Sequence, residues 1–174
     1  MSYAETLDRY TPYALAALRI VTALIFMEHG TQKLFGFPAP PQGGQPLLLS
    51  LYGIGGILEV VGGLLILIGL FTRPVAFLLA GEMAVAYWMF HAPRSFYPLL
   101  NGGDAAILYC FIFLLLLFTG PGAWSVDRTR ERRSAVFVGW AKAHLVCRGG
   151  HASLCPPYDF ATTSSRWKGR ARRC

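Results

Sequence analysis

The chain has 174 residues, of which 54% are hydrophobic and only 14% are charged. A soluble domain carries about 25% charged residues, so this composition excludes an ordinary soluble globular protein and indicates a membrane protein. The formal net charge of +7 is unevenly divided, with −2 on residues 1–127 and +9 on residues 128–174. We therefore expect a membrane-embedded domain over residues 10–127. A basic, largely disordered tail should follow over residues 128–174.

Four apolar stretches are long enough to cross a bilayer as helices, which takes about 20 residues each. They lie at about residues 13–34, 47–71, 74–90 and 105–124. Thr11 and Pro12 predict the start of the first helix as its cap and first turn. The short turn at residues 72–74 makes the second and third spans an antiparallel hairpin. The predicted fold is an all-α membrane protein, a four-transmembrane-helix antiparallel bundle with a basic cytoplasmic C-terminal tail.

The positions of the basic residues predict the orientation in the membrane. Arg9 precedes the first span, Arg73 lies in the second turn, and four arginines follow the fourth span within residues 128–133. Cytoplasmic segments carry the excess of Lys and Arg, so we expect both termini to be cytoplasmic. The tail is either a solvated positive segment or one that contacts anionic lipid headgroups. We expect the bilayer as a partner and no nucleic acid.

Glu59 lies in the middle of the second predicted span, with a glycine pair three or four residues away on either side. On an α-helix these spacings share one face, so the acid and a smooth surface point the same way. The glycines are Gly55, Gly56, Gly62 and Gly63. We expect them to allow close helix packing in the membrane, and we expect Glu59 to face a neighbouring helix.

Counting residues from the ends of the spans places the ionisable side chains in two layers. The outer layer is the candidate buried polar site and comprises Glu28, His29, Lys33, Glu59, His91 and Asp104. In the inner layer we predict a structural ion pair between Arg19 and Glu82. A charge at the bilayer centre costs about 2.5–3.5 kcal/mol, so these groups must pair or line a wet cavity. The outer layer is either a proton or ligand site or a structural network, and catalytic residues cannot be assigned.

The His and Cys residues show no ligand-spacing motif, so we predict no metal site. The sequence also carries no flavin motif, haem-pair histidines, iron–sulfur cysteines or phosphate-binding glycine loop. No cofactor is therefore evident from the residues themselves.

Several motifs of the predicted membrane region resemble those of the DoxX family in order and spacing. They are Arg19, the run from Glu28 to Gly36, the element from Gly56 to Gly63, residues 69–73, residues 101–105 and residues 120–127. The resemblance covers about residues 10–127 and implies a small four-helix protein of the bacterial inner membrane. Relatives tend to end soon after the position of Asp127. The extra residues are either a lineage-specific extension or a reading-frame artefact.

The resemblance also implies a functional setting. DoxX proteins are associated with quinone-linked sulfur oxidation and with membrane oxidoreductase assemblies that protect against oxidative or thiol stress. We therefore expect a subunit or accessory of a quinone- or thiol-linked oxidoreductase system, with quinone as the implied cofactor and oxidoreductase subunits as partners. A small-solute or proton-coupled transporter and a structural assembly factor are the alternatives. A homo-oligomer is compatible with each of them.

Overall fold

The computed structural model describes residues 2–41, 44–135 and 137, and every regular element in this part of the chain is helical. The elements are α1 Tyr3–Phe35, α2 Leu51–Ile68, α3 Thr72–Ala86, α4 Pro98–Asn101 and α5 Asp104–Thr119. A π-helical turn, Tyr87–His91, extends α3, and residues 126–135 are also helical. The predicted all-α class is confirmed. Most of the tail predicted over residues 128–174 lies outside the described residues.

Within the described residues, three helices are long and apolar enough to cross a membrane: α1, α2 and α3 with its π-helical turn. The fourth apolar helix, α5, has 16 residues. At about 1.5 Å per residue it is about 24 Å long, less than the ~30 Å hydrocarbon core of a bilayer. Where the sequence predicted four full spans, the described part of the chain therefore has three candidate spans and one shorter apolar helix.

The first helix begins earlier than predicted. Ser2 caps α1, because its hydroxyl accepts from the Glu5 backbone amide while the Glu5 carboxylate accepts from the Ser2 amide. This reciprocal arrangement is a capping box, which stabilises the first turn of a helix. The prediction that Thr11 and Pro12 open the helix is wrong, since Pro12 lies inside α1.

The helices associate as two pairs, α1 with α2 and α3 with α5, and the pairs meet mainly through α2 and α3. Glycines on α2 allow the close approach. A Cβ at Gly56 would lie 3.1 Å from Lys33 Cβ on α1, and a Cβ at Gly62 would lie 2.7 Å from Leu79 Cδ2 on α3. The two faces of α2 thus serve two different neighbours.

The interior is apolar and aromatic, and so is most of the outer surface. Phe26 and Phe113 are fully buried, with ring centroids 4.9 Å apart in an edge-to-face arrangement. Large apolar side chains on all the long helices remain exposed, among them Leu24, Val61, Phe77, Leu108 and Phe118. An apolar surface of this extent suits contact with lipid.

One end of the bundle, the turn end, consists of residues 69–71 and 120–127. Arg19 lies there, fully buried, and its guanidinium donates to the carbonyls of Ile66 and Leu67 on α2. It also donates to the carbonyls of Pro121 at 2.9 Å and Trp124 at 3.0 Å. The positive charge sits at the C-terminus of α2, where the helix dipole favours a cation.

The predicted Arg19–Glu82 ion pair is therefore not formed. Lys33 with Glu59 is the only ion pair among the described residues. Arg19 is satisfied by carbonyl groups that end a helix and by those of residues 121–124. The Arg19 guanidinium has five N–H donors in a planar arrangement and can donate to several carbonyls at once. It therefore needs no carboxylate partner.

Two further charged side chains, Asp127 and Arg73, hold the turn end together through hydrogen bonds to the backbone. The Asp127 carboxylate accepts from the backbone amides of Phe71 at 3.0 Å and Thr72 at 2.8 Å, which start α3. Arg73 donates to the carbonyls of Leu117 and Phe118, which end α5. Each charge complements the dipole of the helix end that it contacts. Much of the DoxX-like motif set thus forms one hydrogen-bonded structural network.

Candidate functional site

The opposite end of the bundle, the loop end, consists of residues 36–50 and 92–103, and a buried charged cluster lies in the half of the bundle nearer to it. Lys33, in the last turn of α1, donates from Nζ to Glu59 Oε1 at 2.7 Å. The Glu59 side chain is only 3% exposed and that of Lys33 is 17% exposed. The ion pair joins α1 to α2 inside an apolar environment, where charges must be paired.

Glu82 on α3 joins this pair. A Cβ built on Gly55 would lie 3.3 Å from Glu82 Oε1 and 3.9 Å from Lys33 Nζ, so both groups converge on the surface of α2 at this glycine. Three helices therefore contribute one ionisable side chain each to the Lys33–Glu59–Glu82 cluster. Glu82 belongs with Lys33 and Glu59, and its predicted place beside Arg19 was wrong.

The cluster has unsatisfied hydrogen-bonding capacity. Glu59 Oε2 and Glu82 Oε2 are both buried and have no hydrogen-bond partner among the described residues. The cluster has two carboxyl groups and one lysine, so it holds more acid than fixed positive charge. The arrangement can hold a proton or accept hydrogen bonds from a bound donor.

Aromatic side chains lie beside the cluster. Lys33 Nζ is 4.6 Å from the centroid of the Tyr52 ring, within the range of a cation–π contact. The Tyr52 ring meets the Phe90 ring edge to face at 5.8 Å. Tyr52 is not among the residues predicted for the site. It could have been found from its spacing, because Tyr52 lies three and seven residues before Gly55 and Glu59 and so shares their helix face.

Four of the six residues predicted for the outer layer do not join the cluster. Glu28 and His29 are exposed on α1, and the His29 ring contacts the Tyr109 ring at 5.9 Å. Asp104 is exposed at the start of α5. The predicted six-residue acid and histidine cluster is therefore wrong in composition, because helix rotation separates side chains that share a depth.

His91 has a different role at the loop end. Its Nδ1 lies 3.1 Å from the carbonyl oxygen of Asn101. Asn101 is buried, donates from its side chain to the Ser95 carbonyl and accepts from the Gly103 amide at 2.7 Å. These contacts hold residues 91–103 together, so the Asn-Gly-Gly motif is structural in this protein.

No three His, Cys, Asp or Glu side chains converge to hold a metal ion within the described ranges. The Lys33–Glu59–Glu82 cluster offers two carboxylates beside an ammonium group. Its chemistry is that of proton transfer and hydrogen bonding.

Comparison with known proteins gives the family. The DoxX family model matches residues 14–92. An uncharacterized protein of Haemophilus influenzae is 44% identical, over 71% of this chain and 95% of that protein. The inner membrane protein YphA of Escherichia coli is 33% identical, over 67% of this chain and 90% of its own length. The Escherichia coli inner membrane protein YqjF is 29% identical, over 66% of this chain and 90% of its own length. No solved structure matches the chain. The chain belongs to the DoxX family and is a multi-pass protein of the bacterial inner membrane.

Proposed function

We propose that this protein is a membrane subunit of a quinone-linked oxidoreductase system, in which the Lys33–Glu59–Glu82 cluster exchanges protons. The observation that carries the proposal is the pair of buried carboxylate oxygens, on Glu59 and Glu82, without partners among the described residues. An unpaired buried polar group costs about 1–3 kcal/mol, and more when it is charged. A ligand or a proton that satisfies these oxygens therefore stabilises the cluster. The association of DoxX proteins with quinone-linked oxidation suggests the class of ligand.

The residues present fit a quinone headgroup. Lys33 Nζ uses one of its three donors on Glu59 and can offer another to a carbonyl oxygen. Tyr52 and Phe90 provide aromatic surface beside the same lysine. Glu59 Oε2 and Glu82 Oε2 can accept from a hydroxyl group or carry a proton to it. Lys33, Glu59 and Glu82 would hold the headgroup, and Tyr52 and Phe90 would provide apolar surface beside it.

A quinone supplies two-electron chemistry, and its reduction to the hydroquinone also consumes two protons. The cluster would pass on those protons one at a time, from whichever carboxyl group is protonated, and would take up a new proton from water after each transfer. Lys33 would balance the charge of the carboxylate left behind. The electrons come from a partner subunit that carries a redox centre, because this sequence has no flavin, haem or iron–sulfur motif. In this scheme this protein exchanges protons within the membrane, and the partner subunit supplies the electrons.

The test is quinone-dependent activity in native membranes of a strain that lacks this protein, complemented with variants. Glu59→Gln and Glu82→Gln remove the ionisable groups with little change of shape. Each should lower the quinone-dependent rate by about a hundredfold, the lower range for loss of a general acid or base. Immunoblotting of the membranes shows whether the protein still accumulates.

Glu28→Gln is the matched control, because it makes the same chemical change on an exposed side chain of α1. It should leave the rate unchanged. Full activity of both cluster variants, or equal losses in all three, would remove the basis of the proposal.

We also propose that α5 completes a fourth crossing, with the turn end on the cytoplasmic side. A short apolar helix can cross where flanking segments reach the interface or the bilayer thins. The basic residues Arg73 and Arg128 lie in or beside the turn end, and cytoplasmic segments carry such residues in excess.

A further inference from the structure

Glu28 and His29 lie on the outside of the bundle at the depth of the membrane centre. A Cβ built on the neighbouring Gly30 would lie 2.9 Å from Glu59 Cβ, so this turn of α1 is level with Glu59. Glu59 lies at the centre of α2, which spans Leu51–Ile68 and is a candidate membrane span. The Glu28 and His29 side chains are both exposed. An acid and an imidazole therefore face out of the bundle at the depth of the lipid acyl chains.

The polar side chains on this side of α1 are left unsatisfied by the bundle. In the described part of the chain, the Glu28 carboxylate and the Gln32 side-chain amide form no hydrogen bond and no ion pair. The His29 ring meets the Tyr109 ring edge to face at 5.9 Å, and within the same described residues its nitrogens form no hydrogen bond. Ionisable groups inside a bilayer pair with one another or face protein. A second chain packed on this side of α1 would satisfy all three side chains.

Glu28 and His29 flank an exposed row of side chains along α1. Val21, Ile25 and Gln32 follow one another at spacings of four and seven residues, which place them on one face of the helix. Val21 is 54% exposed and Ile25 is 46% exposed. Such spacings are those of the seam of a two-stranded coiled coil. We call Val21, Ile25, Glu28, His29 and Gln32 the α1 stripe.

The α1 stripe is complementary to itself. Consecutive residues of an α-helix point about 100° apart and differ by only about 1.5 Å in depth. A two-fold axis along the membrane normal that passes between Glu28 and His29 therefore brings Glu28 of each copy opposite His29 of the other. Symmetry of this kind makes every such contact reciprocal. Gln32 meets its own counterpart at the axis, and an amide can both donate and accept.

We propose that the α1 stripe binds a second copy of this chain, forming a parallel two-fold dimer in the membrane. Glu28 accepts a hydrogen bond from His29 of the second copy, and the two Gln32 amides pair. Val21 and Ile25 pack against their counterparts beside these polar contacts. The dimer does not depend on the function proposed for the Lys33–Glu59–Glu82 cluster, because Lys33 is engaged with Glu59 of α2.

Disulfide cross-linking in native membranes tests where the two copies meet. The four native cysteines of the full chain are replaced, and a single cysteine is introduced as Ile25→Cys. Oxidation should convert this variant into a covalent dimer, because position 25 lies next to the two-fold axis. Phe77→Cys is the matched control, since Phe77 is also an exposed apolar residue, 62% exposed on α3. No cross-link through position 25, or equal cross-linking in both variants, would overturn the interface.

Sedimentation equilibrium in neutral detergent tests the polar contacts. Glu28→Leu removes both reciprocal hydrogen bonds and should raise the dimer dissociation constant about tenfold. Leucine is chosen because glutamine at this position would still accept the hydrogen bond. Asp104→Leu is the matched control, because it removes another exposed acid, on α5, and it should leave the constant unchanged. A monomeric unaltered chain, an unchanged constant in Glu28→Leu, or equal weakening by Asp104→Leu would overturn the proposal.

Discussion

Two buried cations, Arg19 and Lys33, are satisfied in different ways. Arg19 donates to carbonyl oxygens at the turn end, whereas Lys33 pairs with Glu59 and contacts the Tyr52 ring. Pairing opposite charges at equal predicted depth makes Glu82 the partner of Arg19, which is wrong. Backbone carbonyls that end a helix are equally good acceptors, and nothing in the residue types reveals which ones are within reach.

Arg19→Lys tests the role of the guanidinium fork. Lysine keeps the positive charge but cannot reach carbonyls on α2 and on residues 121–124 together. Loss of these charge-assisted hydrogen bonds should lower the free energy of unfolding by about 3 kcal/mol. Detergent-induced unfolding followed by circular dichroism measures it. Arg9→Lys, on an exposed side chain, should change little, and an equally stable Arg19→Lys would contradict the network.

Lys33→Gln tests whether the ion pair with Glu59 is needed for stability. Removal of one partner of a buried pair typically costs about 3–5 kcal/mol, because the other charge is left uncompensated. The double variant Lys33→Gln with Glu59→Gln should recover much of that loss. Melting temperatures of the two single variants and the double variant measure the coupling. Additive losses would show that the two side chains do not interact.

At the scale of the helices, hydropathy predicts the middle of each candidate membrane span well and the ends of the helices poorly. The spans predicted at residues 47–71 and 74–90 overlap α2 and the extended α3. The start of α1 was missed because its first ten residues are not apolar, and the Ser2 cap was overlooked. Glu82 was assigned to the wrong layer because it lies near the middle of the extended α3, where counting residues from the span ends does not decide between the two layers. The Lys33–Glu59–Glu82 cluster depends on how three helices face one another, which a single sequence does not show.

Gly30→Ala tests the close approach of α1 and α2. A Cβ at Gly30 would lie 2.7 Å from Val60 Cγ2 and 2.9 Å from the Gly56 carbonyl oxygen. Overpacking of this kind costs about 1–3 kcal/mol, so the melting temperature should fall. Gly81→Ala is the matched control on α3, where nothing lies within 4 Å of the added atom. It should be neutral or stabilising, because alanine favours helix. A larger fall in melting temperature for Gly81→Ala than for Gly30→Ala would contradict the close packing of α1 against α2.

At the scale of the whole molecule, the two ends differ in what they do. The turn end is closed by hydrogen bonds that Arg19 and Arg73 donate and that the Asp127 carboxylate accepts, and the Ala123 amide donates to the Pro12 carbonyl. The other half of the bundle contains the buried carboxylates with unpaired oxygens. The hydrogen-bonded network and the proposed proton-exchange cluster thus lie in opposite halves, and the family motifs divide between them.

Cysteine labelling in intact cells tests the proposed orientation. The four native cysteines are first replaced, and single cysteines are then introduced as Ser95→Cys at the loop end or Arg133→Cys beyond the turn end. A membrane-impermeant maleimide should label Ser95→Cys in whole cells. Arg133→Cys should be labelled only after the cells are broken. The opposite pattern would invert the orientation, and labelling of both in whole cells would contradict the fourth crossing.

The most direct test of the central claim is the quinone content of the protein purified in mild detergent. Extracted quinone is quantified per protomer for the unaltered chain, Glu82→Gln, Glu59→Gln and Glu28→Gln. The Lys33–Glu59–Glu82 cluster predicts that the unaltered chain and Glu28→Gln retain quinone, and that both cluster variants lose most of it. Absence of quinone from every sample, or equal retention in all four, would contradict the account.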